Sequence, residues 1–302
     1  MRAFVIINPT AGGGLALAAI EARLADRLGA TVCRTERVGH AEALAAEARR
    51  SGFDRVVAVG GDGTVGEVVN GLVSCSTGTP NMPRPTLGII PLGTGNDLAR
   101  ALGIPGRPEA AIEIVARGRT RPLDLIEAFS DGRFGRERRL IANAAVAGFC
   151  GRIGDRMSPS FRRRWRRFAY PVAAVRELSD LRRHAVRIDV DDRTVELDAF
   201  MVIVANSRFA GGHIPLAPPA RTDDGALDVV VIEACTAVRF PGLAARVLRG
   251  THVGRPGARH FATTRVELTS EPPMWMNIDG DSWQASRTTF RVLPSELLVT
   301  AP

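Results

Sequence analysis

Lysine is missing from this chain: the 40 basic residues among its 302 are all arginine. That absence excludes both a P-loop lysine and a Schiff-base lysine. Any phosphate clamp must therefore use arginine or backbone amides. Cysteine is scarce as well, at positions 33, 75, 150 and 235, with no Cys-x-x-Cys pair. Reduced thiols in a cytoplasmic protein are the plain expectation. No apolar run approaches the roughly 18 residues of a spanning helix. The chain opens on the strand-like Phe4-Val5-Ile6-Ile7 rather than on a basic-then-apolar leader, so no signal peptide is expected. His40, His184, His213, His252 and His260 lack metal-ligand spacing and are expected to be structural or surface residues.

What is present describes a folded, soluble chain, 45% hydrophobic and 24% charged, long enough for two domains. Its net charge of +8 suits an anionic partner such as a nucleotide, nucleic acid or an acidic membrane. Up to about residue 122, strands, glycine-rich turns and amphipathic helices alternate. Strands are expected near 3–8, 30–35, 55–59 and 87–90, and helices near 15–28, 41–50, 64–73, 96–102 and 109–117. This alternation predicts an α/β domain over 1–122 with a mainly parallel sheet and ligands at the strands' carboxyl ends. Beyond Pro122 short strand-like segments dominate, among them 138–145, 264–269, 274–278 and 288–293. Helices are expected near 161–180 and 238–249. A β-sandwich-like domain over 123–302 is the expectation, and its last residues could pack back on the first domain.

Two turns carry the candidate chemistry. Val56-Val57-Ala58-Val59 reads as a buried strand running into Gly60-Gly61-Asp62-Gly63, and Thr64 to Glu67 has capping-box spacing. The glycines permit close backbone approach to a ligand, and the following helix start suits phosphate. A carboxylate at Asp62 beside phosphate is repulsive unless a hard cation intervenes, which implies Mg²⁺. The alternative is a structural turn in which Asp62 bonds only backbone. The second turn, Pro91 to Arg100, places Thr94, Asn96 and Asp97 where they can cap a helix. Asn8-Pro9-Thr10-Ala11-Gly12 opens a third glycine-rich loop that fits neither the P-loop nor the dinucleotide fingerprint. Asp279-Gly280 alone reads as a hairpin turn.

These segments, with Asn70-Gly71-Leu72, Leu123-Asp124-Leu125, Asn143, Ala205-Asn206-Ser207, Asp223-Asp224-Gly225, Leu227-Asp228-Val229 and Ile278-Asp279-Gly280-Asp281, occur in one order along nearly the whole chain. In this the chain resembles the soluble diacylglycerol kinase-like lipid kinases, which include bacterial diacylglycerol kinases and sphingosine and ceramide kinases. The resemblance implies a nucleotide-binding domain like those of NAD kinases and phosphofructokinases, a β-sandwich domain and an active cleft between them. It implies ATP and Mg as cofactors and a lipid hydroxyl as acceptor. Nucleotide contacts would come from Asn8, Thr10, Thr35, Gly60, Gly61, Asp62, Gly63, Thr64, Glu67, Gly93, Thr94 and Asn96. Asp279 would be the general base. Asp62, Asp97, Asp124 and Asp281 would organise Mg²⁺ and its waters, with Asp224 in a structural Mg²⁺ loop.

Gly66 stands where the family usually has Asn, and Asp281 where it usually has Glu, one methylene longer. The run Phe161 to Tyr170, with five arginines within 162–167, suits an anionic lipid interface or a solvated helix docked by its aromatics. The expected setting is the cytoplasm, peripheral at the inner membrane surface, with no nucleic-acid partner and a possible homodimer. The rival readings are an NAD kinase-like nucleotide kinase and a non-catalytic lipid- or nucleotide-binding regulator.

Overall fold

The computed structural model describes residues 2–12, 17–74, 83–132, 135–149, 181–279 and 281–302. The expected helix at 161–180 and its arginine run lie outside the described residues. The chain divides into two units, Met1–Asp124 with Ser295–Pro302, and Leu125–Pro294.

In the first unit β1 (Ala3–Ile7), β2 (Thr31–Arg34), β3 (Arg55–Gly60) and β4 (Thr86–Pro91) pair in parallel in the order β2-β1-β3-β4. β1 and β3 are buried along their whole length, which explains their unbroken Val/Ile/Ala character. The helices are α1 (Leu17–Leu28), α2 (His40–Arg50), α3 (Asp62–Ser74), α4 (Asp97–Ala101) and α5 (Pro108–Arg117). α2 and α3 pack tightly because Gly71 has no side chain. A Cβ there would lie 2.2 Å from the Glu42 carbonyl oxygen. Two buried arginines close helix ends. Arg49 donates to the Leu72 carbonyl at the end of α3 (2.6 Å), and Arg55 to the Val115 carbonyl in α5 (2.5 Å). A cation is favoured at a helix C-terminus, where unpaired carbonyls and the macrodipole both present negative charge.

The chain enters the second unit along β5 (Thr120–Gly132) and returns along β13 (Asp281–Thr300). Back in the first unit, Val299 pairs in parallel with Leu87 of β4, and the Ala301 amide donates to the Arg119 carbonyl.

The second unit also contains β6 (Gly135–Ile141), β7 (Ala144–Gly148), β8 (His184–Val190), β9 (Arg193–Ala205), β10 (Leu227–Glu233), α6 (Phe240–Leu248), β11 (Ala258–Thr263) and β12 (Arg265–Ile278). The pairings of β5 with β6, of β7–β11 with their neighbours and of β12 with β13 are antiparallel. β9 and β12 are each joined by β8 along one half and by β7 along the other. Alternate residues of the central strands feed two separate cores. Ala145, Ala147, Val202, Val204, Val229 and Val231 face one, while Ala144, Val146, Met201, Ile203, Val230 and Ile232 face the other, where Leu243 of α6 joins them. Burial on both faces explains the continuous apolar run 199–205, whereas β8 alternates buried and exposed positions as a strand with one covered face does.

Three local expectations are corrected. The segment 138–145 is not one strand: β6 ends at Ile141 and β7 begins at Ala144, because the amides between them turn towards a carboxylate. The segments 264–269 and 274–278 form one strand, β12, whose register shifts between Thr269 and Met274 across Pro272-Pro273. Thr64 and Glu67 form no capping box, since α3 already begins at Asp62. Instead the Glu67 carboxylate accepts the Ala41 amide in the first turn of α2 (3.1 Å), and the Thr64 hydroxyl accepts from the Asn8 side chain.

Candidate functional site

In the first unit the carboxyl ends of β1, β3 and β4 gather the three glycine-rich turns. Asn8 follows β1 and acts as a hub. Its Oδ1 accepts the Thr10 amide (3.0 Å) and hydroxyl (2.7 Å), and its Nδ2 donates to Thr64 Oγ1 (3.1 Å). The loop after β1 is thus tied to the turn after β3. Gly60 has no room for a side chain, since a Cβ would lie 2.5 Å from Thr64 Oγ1. Thr35, just beyond β2, is fixed by its amide donating to the Ile7 carbonyl (2.8 Å).

The turns after β3 and β4 touch backbone to backbone. A Cβ on Gly93 would sit 2.4 Å from the Gly61 Cα, so only glycine allows this approach. Asn96 holds the second turn by two bonds to Gly93, accepting its amide (2.9 Å) and donating to its carbonyl (2.7 Å), from a left-handed backbone at φ 55°. The side-chain cap expected of Asn96 on α4 is therefore absent. Asp62 accepts the Leu98 amide in its place (3.4 Å). Asp62 and Asp97 converge on Gly95, where a Cβ would be 2.7 Å from one carboxylate and 3.5 Å from the other. Asp97 is buried, whereas Gly63 in the first turn of α3 and Thr94 at the tip of its turn are exposed.

Two carboxylates held close, one of them buried, repel each other unless a cation lies near. The backbone amides of the adjoining glycine turns would suit an anion. The residues present therefore fit a divalent cation with phosphate. Asp124 is also buried, its Oδ1 accepting the Ser295 amide (2.6 Å), which ties it to the returning strand. Among the described residues no three acidic, histidine or cysteine side chains gather as a complete metal cage. Asp224 accepts the Ala226 amide (3.2 Å) in a local turn, and Asp223 pairs with Arg221 (3.3 Å). The side chain of Asp281 lies outside the described residues.

In the second unit Asp279 occupies the connection between β12 and β13, with Ile278 paired to Asp281 and φ at 45°. The hairpin reading holds here, and such a turn can also carry a chemical group. Asp279 Oδ2 accepts the amides of Ala142 (2.8 Å) and Asn143 (3.4 Å), and Oδ1 that of Ala144 (3.2 Å). The break between β6 and β7 is thus a cradle of three N–H groups around one carboxylate.

The cradle has its own support, which sequence reasoning missed as part of the site. Asn206 is fully buried; its Nδ2 donates to the Ala142 carbonyl (2.9 Å) and its amide to the Asn143 carbonyl (2.9 Å). The Ser207 hydroxyl donates to Asn143 Oδ1, and its amide to the Asn143 carbonyl (3.2 Å). The available signal was Asn206-Ser207 closing an apolar strand, where buried polar groups need partners.

Comparison with known proteins follows this division. The sequence model of the diacylglycerol kinase catalytic domain matches residues 2–128, and that of the YegS C-terminal NAD kinase beta sandwich-like domain matches 143–301. The chain is 31% identical to a diacylglycerol kinase of Bacillus subtilis (strain 168) over 93% of its own length and 89% of that protein's. It is 29% identical to one from Staphylococcus epidermidis, covering all of this chain and 92% of the relative. A crystal structure of a diacylglycerol kinase from Bacillus anthracis strain Sterne matches the fold with a TM-score of 0.73 at 24% identity, covering 100% of this chain and 97% of that one.

Proposed function

Because the chain belongs to the diacylglycerol kinase family, we propose that it transfers the γ-phosphoryl group of Mg²⁺-bound ATP to the hydroxyl of a lipid such as diacylglycerol. The observation that carries the reading is the convergence of Asp62 and Asp97 on Gly95, where two glycine turns meet backbone to backbone. In this reading the first unit acts like the nucleotide-binding domains of NAD kinases and phosphofructokinases. Gly60, Gly61, Gly63, Gly93 and Thr94 present backbone to the phosphates, and Asn8, Thr10, Thr35, Thr64, Glu67 and Asn96 hold the surrounding turns in shape. Asp62 and Asp97 would hold the metal, and Asp124 and Asp281 are assigned to its waters by the family resemblance alone. The bound Mg²⁺ supplies charge neutralisation during phosphoryl transfer.

Asp279 takes the proton of the lipid hydroxyl. Its three backbone donors fix the carboxylate plane, so alignment is built in before substrate arrives. A carboxylate beside an alcohol suits phosphoryl transfer, which asks of the protein mainly positioning and charge compensation. The enzyme works at the surface of an anionic membrane, where its acceptor lies.

Asp62→Asn tests the nucleotide half. Loss of a metal-organising charge should raise the Mg²⁺ requirement and lower turnover of ATP with diacylglycerol, while leaving thermal unfolding near that of the native chain. Native turnover and native Mg²⁺ dependence would remove Asp62 from the site.

A further inference from the structure

The second unit carries a groove of about 870 Å³ where the end of β10 runs past α6. It plays no part in the chemistry above. Its walls bring together Arg183, Arg239 and Arg246. The carboxylate in its lining, Glu233, is already neutralised by Arg259 at 2.6 Å. Arg183 and Arg246 each donate to a backbone carbonyl, of Cys235 and Gly242, at 3.3 Å. Among the described residues none of the three arginines has a carboxylate within ion-pair distance.

The arrangement follows from helical geometry. Arg239, the residue that caps the start of α6, and Arg246 within it are seven residues apart, about two turns along one side. Leu243, between them, is buried in the core and holds that face in place. Beside Arg239 stands Val238, 91% exposed, and at the far end of α6 stands Leu248, 55% exposed. An apolar side chain left in water next to guanidiniums that have no carboxylate partner among the described residues fits a partner that is itself both anionic and apolar.

An acidic phospholipid surface meets both demands, since it offers phosphates to arginine and a hydrocarbon boundary to valine. We propose that this groove docks the chain on acidic phospholipid headgroups, with Arg183, Arg239 and Arg246 on the phosphates and Val238 at the acyl boundary. The inference rests on the lipid-kinase reading only for the choice of a membrane as the partner. It supplies a described surface for the membrane contact.

The test is sedimentation of the full chain with phosphatidylglycerol–phosphatidylcholine vesicles and with phosphatidylcholine vesicles alone, at low salt and at physiological salt. The native chain should bind the anionic vesicles, and less so as salt rises. Each Arg→Gln change should weaken that binding about fivefold, the equivalent of about 1 kcal/mol for a basic residue near an anionic surface. Replacing the same three arginines by Lys should preserve most of it, and Val238→Asp should weaken it.

The proposal is overturned if the native chain ignores anionic vesicles, or if the triple Gln variant binds them unchanged. Equal loss on neutral vesicles overturns it too. So does loss of saturable inorganic phosphate binding with vesicle binding intact, which would mark a site for free phosphate. An acidic protein competitor that displaces nothing from vesicles but binds the groove in an Arg-dependent way would likewise refute it. Should the triple variant unfold, the single exposed change Arg239→Gln decides.

Phosphorylation of detergent-dispersed diacylglycerol, measured in parallel, keeps the two ideas apart. The groove variants should retain it. A native chain that phosphorylates no lipid yet docks through the groove would sink the kinase reading and leave the docking surface standing.

Discussion

Asp279→Asn separates the roles that converge on one carboxylate. The native side chain accepts three amides, at 2.8, 3.2 and 3.4 Å. Asparagine keeps one acceptor oxygen and replaces the other with a donor. If its oxygen faces Ala142 and Asn143, its NH₂ faces the Ala144 amide, donor against donor. Losing a charge-assisted bond and stranding that amide costs about 1.5–3 kcal/mol. A domain of this size shifts about 2–4 °C per kcal/mol, so melting should fall by about 3–12 °C. Turnover should fall by about 10²–10⁴-fold, because the amide cannot take the hydroxyl proton, while ATP affinity barely changes. Thermal unfolding, ATP titration and turnover on the one variant measure all three. An unchanged melting temperature would refute the cradle argument. Turnover within about tenfold of native would refute the base assignment. A folded variant that no longer binds ATP with Mg²⁺ would make Asp279 a metal organiser instead.

Gly93→Ala should destabilise the first unit by about 1–3 kcal/mol and weaken ATP binding, because its methyl would meet immovable backbone; native melting and native ATP affinity in that variant would show the turns can part. The Cβ would lie 2.4 Å from the Gly61 Cα. His252 makes the second unit sensitive to acid. It is fully buried, and desolvation pushes its pKa below the usual 6.5 despite a contact of 3.1 Å between Nε2 and the Leu216 carbonyl. Above pH 6.5 its contribution to stability is fully present, and it is lost as pH falls from there through the depressed folded value, because the unfolded chain takes up the proton first. The melting-temperature gap between the native chain and His252→Asn should therefore narrow on acidification, and a gap independent of pH would contradict this.

Much of this was written locally in the sequence. The apolar runs 56–59 and 87–90 became parallel strands because each is buried from end to end, and their glycine turns fell at the carboxyl ends as α/β geometry requires. What could not be read was which partner each polar group would choose. Glu67 has capping-box spacing to Thr64 yet serves the start of α2, since Gly71 brings that helix close enough to compete. Asn96 looks like a cap for α4 yet bonds Gly93, leaving Asp62 to accept from Leu98. The cradle of Asp279 was hidden for a further reason. Its donors are backbone amides of Ala142, Asn143 and Ala144, more than 130 positions upstream, and an amide has no residue-type signature.

The return of residues 295–302 to the first unit has a consequence for how the chain comes to be folded. Leu87 of β4 waits for Val299, and the carboxylate of Asp124 waits for the amide of Ser295. The unit made first is therefore the unit finished last. The second unit is one uninterrupted stretch from Leu125 to Pro294, whereas β4 of the first presents an open edge until Val299 pairs with it. An open edge of buried-type residues is a template for pairing with other chains. Until those eight residues arrive, the first unit therefore carries an exposed edge at which misassembly can begin.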